Sequence, residues 1–285
     1  MRFAFIQEQR VAFPIRALCE VMQVSRSGFY AWHDERDGVR SREDRELADR
    51  IRDIHHRSRC TYGVRRIRAE LRSQGLEVGL RRVRKLMRQQ GLVPRSKRRF
   101  RATTDSRHSF PIAANVLGRD FEQTAPNQAW VGDITYIPTD EGWLYLAGVI
   151  DVGSRRIVGW SMADHMRTEL VADAMEMALA RRRPPEGLLH HSDRGVQYAS
   201  DAYQGLLQGR QIAVSMSGKG DCWDNAVMES FWATLKTELV HHEHYATREQ
   251  ARQSIFEYIE VFYNRQRLHS SLGYVSPEAF EASRN

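Results

Sequence analysis

Cysteine is scarce and scattered in this chain: Cys19, Cys60 and Cys222 stand far apart and form no paired spacing. That excludes a disulfide framework and a zinc ribbon, and it suits a reducing cytosol. His55, His56 and Cys60 lie close in sequence, but no further ligands stand at a zinc-binding spacing, so a zinc site is not expected. Long apolar runs are also lacking. No segment approaches the roughly 20 apolar residues of a membrane span, and the start, Met1-Arg2-Phe3-Ala4-Phe5-Ile6, carries charge too early for a secretory core. A membrane partner is not expected, and the expected location is the cytoplasm. Low-complexity tracts are absent, and there is no internal repeat beyond two helix-pair units.

What is present is positive charge, unevenly placed. Residues 1–108 hold 27 Lys and Arg against 13 Asp and Glu, a net of +14, while residues 109–285 hold 16 against 23, a net of −7; together these give the +7 of the whole chain. A polycationic front and a mildly acidic back suggest that the front holds a polyanion while the back does something else. With 41% apolar residues over 285 positions, two or three domains with real cores are possible.

In the front, residues 14–33 read as two short helices. Leu18 and Val21 mark one apolar face, Val24-Ser25 makes a turn, and Ser25 caps a second helix carrying Arg26, Phe29 and Trp32. This pattern predicts a helix-turn-helix over residues 1–40. A second basic unit is expected over 41–93. Leu47, Ile51 and Ile54 stripe one helix, Val64, Ile67 and Leu71 a second that ends at Gly75, and Leu80, Val83 and Met87 a third. That third helix carries Arg81, Arg82, Arg84, Lys85 and Arg88, side chains suited to phosphates or a major groove. With Arg26 they are the front's candidate DNA contacts. Residues 94–124 read as a basic linker, whose part 94–110 would span about 55 Å if extended.

The back, 125–285, opens with three strand signals at 129–138, 143–151 and 155–163, joined by polar turns into an antiparallel meander. Helix, strand, helix, strand and helix follow, at about 167–182, 187–192, 200–209, 211–216 and the stretch 224–236, then a long helix at 247–264. This is the order of an α/β, ribonuclease H-like fold, in which the first strand is central and the fourth pairs beside it. Three acids take key places in that order. Asp133 lies in the first strand, Asp193 ends the fourth, and Glu229 sits in the helix after the fifth, with 59 and 35 residues between them. Carboxylates gathered at one point repel unless cations neutralise them, which implies hard divalent ions. Two Mg²⁺ ions about 3.5–4 Å apart can clamp a phosphodiester, with Mn²⁺ as a substitute. Asp133 is expected to bridge both, Asp193 to hold one and Glu229 the other.

Lys236 stands seven residues after Glu229, on nearly the same helical face, and is the candidate for a DNA-end phosphate; an ordinary surface lysine is the alternative. Val227, Phe231 and Thr234 are expected to pack inward. Gly218-Lys219-Gly220 makes a loop ahead of that helix, with Lys219 a further DNA-binding candidate. His191 is read as a satisfied core histidine.

The segments Asp133-Ile-Thr-Tyr136, His191-Ser-Asp-Arg-Gly-Val-Gln-Tyr198 and Asp224-Asn-Ala-Val-Met-Glu-Ser-Phe231, with Lys236, resemble the catalytic core shared by retroviral integrases and bacterial insertion-sequence transposases. The tail Tyr263–Phe280 resembles the bacterial group, and the nearest resemblance is to the second-frame product (OrfB) of two-frame insertion sequences. It covers about residues 10–282, and the 35-residue gap before the glutamate is that group's own spacing. The front departs from retroviral integrases, with helix-turn-helix units in place of a His/Cys zinc domain. The resemblance implies recognition of terminal inverted repeats and target DNA, 3′-end cleavage by water, and strand transfer by the freed 3′-hydroxyl. It also implies a homo-oligomer on DNA, a nucleoid-associated bacterial location, and a first-frame partner or frameshift fusion. Two rivals stay open: a nuclease of the same fold that cuts without joining, and a DNA-binding regulator with an inactive core.

Overall fold

A computed structural model describes residues 1–37, 39–95, 125–217 and 225–284, with the side chains of 34–41 set aside. The chain divides into two compact units, Met1–Pro94 and Arg95–Asn285.

The first unit is helical: α1 (Arg2–Gln9), α2 (Ile15–Val21), α3 (Arg26–Asp37), α4 (Val39–Arg57), α5 (Val64–Ser73) and α6 (Leu80–Gln89). Ser25 caps α3 as its sequence suggests, its Oγ accepting from Gly28 N at 3.0 Å. Ile6, Leu18, Cys19 and Phe29 form a small core with Phe3, Ile15, Met22, Val24 and Trp32 packed against it. The sequence pattern gave no helix before residue 14, yet α1 supplies the fully buried Ile6. Helices α4, α5 and α6 pack on one another and bury Leu47, Ile51, Ile54, Ile67, Leu71, Val83, Leu86 and Met87. Of the expected linker, residues 96–124 lie outside the described residues.

The second unit is built on a five-stranded sheet. Its strands are β1 (Ala129–Thr139), β2 (Gly142–Asp151), β3 (Ile157–Ala163), β4 (Leu189–Ser192) and β5 (Ala213–Met216), in the order β3-β2-β1-β4-β5. The first three are antiparallel, while β1, β4 and β5 run parallel. This is the ribonuclease H-like arrangement, with β1 central. Helix α7 (Thr168–Arg182) covers one sheet face; Leu170, Val171, Ala174, Met175 and Ala178 share a core with Trp130, Ala147, Val149 and Val158. The short α8 (Val196–Ala199) and α9 (Asp201–Gly209) extend that cover through Tyr198, Tyr203 and Leu207.

Helix α10 (Ala226–Glu238) lies on the opposite face, where Gly148 of β2 makes room for it: a Cβ there would stand 2.5 Å from Met228 Cε and 2.9 Å from the Trp232 ring. The helix is covered on a second side as well, Phe231 meeting Tyr263 with ring centres 4.7 Å apart. So Met228, Trp232 and Leu235 are buried along with Val227 and Phe231, whereas Thr234 is only half-buried. The long helix expected at 247–264 is α11 (Arg248–Glu257), which passes into a π-helical turn at Tyr258–Tyr263, and α12 (Pro277–Ala282) closes the chain.

Candidate active site

The parallel pairing of β1 with β4 sets Trp130 against His190, Val131 against His191 and Gly132 against Ser192, and ends there. Asp133 follows Gly132 within β1, and Asp193 follows Ser192, the last residue of β4. The two carboxylates therefore lie side by side where β4 ends against the middle of β1. The last turn before Asp193 is held from below: His191 bonds Ser215 Oγ at 2.9 Å and Ser217 Oγ at 3.2 Å on the β5 side, so it is a satisfied core histidine. His190 meets the Tyr203 hydroxyl at 2.9 Å, and burial pushes its pKa down to about 3, so it stays neutral.

Each aspartate is oriented by donors. Asp133 Oδ1 accepts from Ile134 N at 2.8 Å and Oδ2 from the Trp232 indole at 3.0 Å; Asp193 Oδ1 accepts from Gly195 N at 2.8 Å. Burial, and then the negative Asp193, push Asp133 up to about 7, with the Ile134 N–H and the Trp232 indole pulling the other way and Glu229 adding a smaller push. Two carboxylates set this close, one of them held well above its ordinary pKa, have the chemistry of a hard-cation site.

Glu229 lies in the first turn of α10 and is exposed, with partial burial of its carboxyl raising its pKa. It contributes to the field at Asp133, but among the described residues no three His, Cys, Asp or Glu side chains stand close enough to hold a metal ion as they are. Of the two other acids, Asp193 acts on Asp133 more strongly than Glu229 does.

Lys236, half-buried on α10, puts its ammonium 5.0 Å from the centre of the Tyr136 ring. Burial lowers its pKa while the nearby Asp133 opposes that shift. Lys219 and its glycines fall outside the described residues, although Arg194 Nε reaches Ser217 O at 2.5 Å just before them.

In the first unit, Arg81, Arg84, Lys85 and Arg88 are exposed on α6, and Arg26 is exposed on α3. Arg82 differs: it bonds Asp44 at 2.7 Å and Glu43 at 3.3 Å on α4, and Lys85 stands 4.0 Å from Asp44. Helical periodicity could not show those partners, because they come from a helix 38 residues away. Sequence reasoning also missed Trp232, whose aromatic ring on a helix reads as core, and Gly148, which carries no side chain to notice.

Three family profiles match this chain: an integrase core domain over residues 123–222, a second integrase core domain over 210–277, and an HTH-like domain over 41–100. The insertion element IS600 uncharacterized 31 kDa protein of Shigella sonnei is 49% identical over 263 residues, 92% of this chain and 97% of that protein. Transposase InsF for insertion sequence IS3A of Escherichia coli (strain K12) is 44% identical over 283 residues, 99% of this chain and 98% of its own length. Among solved structures, a chain of the simian T-cell lymphotropic virus intasome in complex with PP2A regulatory subunit B56 gamma aligns at a TM-score of 0.48 and 15% identity, covering 81% of this chain and 74% of that one. The HTLV-2 integrase catalytic core domain in complex with magnesium aligns at a TM-score of 0.43 and 14% identity, over 55% of this chain and 97% of its own.

Proposed function

The chain belongs to the IS3 family of insertion-sequence transposases with an integrase core, and from that premise we propose that it binds the terminal inverted repeats of its element, cleaves their 3′ ends and joins them to target DNA. Asp133, Asp193 and Glu229 are the catalytic carboxylates of this reading. The observation that carries it is the β1–β4 register, which ends on Gly132 and Ser192 and so supports a pair of aspartates at one strand edge, with Asp133 raised to about 7.

The chemistry of the donors fits divalent cations, Mg²⁺ with Mn²⁺ as a substitute, and when bound such a pair of ions activates the attacking water or 3′-hydroxyl and stabilises the leaving oxygen. Asp133, Asp193 and Glu229 would hold these ions. The Trp232 indole fixes the direction of one Asp133 oxygen, so the carboxylate need not be ordered when it binds. Lys236 supplies a positive charge beside the acids for a phosphate of the DNA end. Arg81, Arg84, Lys85 and Arg88, with Arg26, grip DNA phosphates from the first unit; Arg82 acts first by bracing α6 on α4; Lys219 is a further phosphate contact. Two ends must meet for joining, so the working form is a homo-oligomer on DNA.

The test is a strand-cleavage and joining assay on DNA carrying the element's own ends. Wild-type protein with Mg²⁺ should yield both nicked and joined products, and Asp193→Asn should lose both by more than about a hundredfold. Nicked product without joining would favour a simple nuclease, and unchanged activity in Asp193→Asn would remove the acids from the chemistry.

A further inference from the structure

Past Gly132, β1 pairs among the described residues with β2 alone, beside the aspartates. Two large rings project there: Tyr136 is 47% and Trp143 48% exposed, and they meet edge to face with centres 4.9 Å apart. Strand alternation sets Tyr136 on the sheet face opposite Asp133. Lys236, from the helix on the Asp133 side, puts its ammonium 5.0 Å from the Tyr136 ring centre. The acids of the hairpin turn are already engaged: Asp140 meets His244 at 3.1 Å, and Glu141 accepts from Arg248 N at 2.9 Å. Among the described residues the rings are thus rimmed by charged groups and form no broad apolar patch of the kind a protein partner buries.

We propose that Tyr136, Trp143 and Lys236 form a ledge on which unpaired bases of the DNA strand stack as its end enters the acidic site. The proposal rests on, and deepens, the DNA-end reading above. Exposed aromatic faces bind bases of any sequence, but paired bases hide their faces inside the duplex, so this surface suits frayed or single-stranded nucleotides. An ammonium over one ring can meet the phosphate that links two such bases. Its place between ring and carboxylate makes the ledge continuous with the site, which commits it to the strand being processed.

The test compares two probes bound to the full chain: a blunt duplex, and the same duplex with a short unpaired 3′ tail containing 2-aminopurine. Wild-type protein should bind the tailed probe roughly tenfold more tightly than the blunt one and quench the 2-aminopurine. Trp143→Ala and Tyr136→Ala should lose that advantage and the quenching while binding the blunt duplex as wild type does. Trp143→Phe should retain both, which controls for folding. An unchanged tail advantage in both alanine variants overturns the ledge, as does a wild-type protein that binds blunt and tailed probes equally. A change in oligomeric state on Trp143→Ala, with no tail advantage in wild type, would assign the rings to a second copy of the chain. Failure to bind even the blunt duplex would instead overturn the DNA reading itself.

Discussion

Asp133 carries two consequences that can be measured. Its carboxyl stands near 7 in the fold against an ordinary 3.8, so ionising it costs the folded state roughly 4 kcal/mol at most, less what solvent on its open side screens. The sign follows from the raised value: the penalty is absent below about pH 4, grows as pH rises from there to 7, and is complete above it. In EDTA at pH 8, Asp133→Asn should therefore melt higher than wild type, by roughly 2–8 °C, and added Mg²⁺ should stabilise wild type but not the variant. An asparagine variant no more stable than wild type would show that the carboxylate is not strained. For the same reason the Mg²⁺ concentration that half-saturates activity should fall as pH rises through 7, because bound cations must displace the proton. Trp232 adds a second prediction. Replacing its indole with Phe keeps an aromatic ring but removes the donor to Asp133, and should raise the half-saturating Mg²⁺ roughly 10–100-fold beside a modest fall in melting temperature from the lost packing. An unchanged Mg²⁺ requirement would reduce Trp232 to packing.

Elements meet at two glycines whose environments differ in kind. A Cβ on Gly159 of β3 would stand 2.1 Å from Ala174 O and 2.8 Å from Ala178 N, backbone atoms of α7 that cannot yield without moving the helix. On Gly148 it would meet the tip of Met228, which can rotate, and the Trp232 ring. Gly159→Ala should therefore destabilise by about 1–3 kcal/mol or more, and Gly148→Ala by less, in urea unfolding. Gly148→Ala should nevertheless raise the Mg²⁺ requirement, since it displaces the indole that orients Asp133. The reverse order of stability would contradict the packing described. The tail elements are locked differently. Glu238 on α10 takes a bidentate pair from Arg267 at 2.8 and 2.6 Å and a bond from the Tyr258 hydroxyl at 2.8 Å, all buried. Glu281 on α12 holds Arg182 and Arg156. The tail motif thus contributes to holding α10 in place, a role that motif spacing does not reveal.

For the whole molecule, the division of charge is the main lever on DNA affinity. If α6 meets phosphates, replacing Arg81, Arg84 and Arg88 together by Ala should flatten the slope of log affinity against log salt by about 2.7, near 0.9 per lost contact. A wild-type slope would remove α6 from the interface. Arg82 is left out because Asp44 already holds it. That residue marks the boundary between what each level of description decides. The amino-acid order alone determined the class of fold, the strands and helices that carry Asp133, Asp193 and Glu229, and the excess of cations at the front, because periodicity, turns and charge are local properties written along the chain. Tertiary structure decided which cations are spent on neighbouring carboxylates, that Trp232 faces Asp133, that Gly148 admits α10, and that Tyr136 and Trp143 stand open beside Lys236. Those facts depend on residues far apart in sequence and close in space, such as Asp133 and Trp232 at 99 positions apart. A one-dimensional pattern carries no measure of that distance.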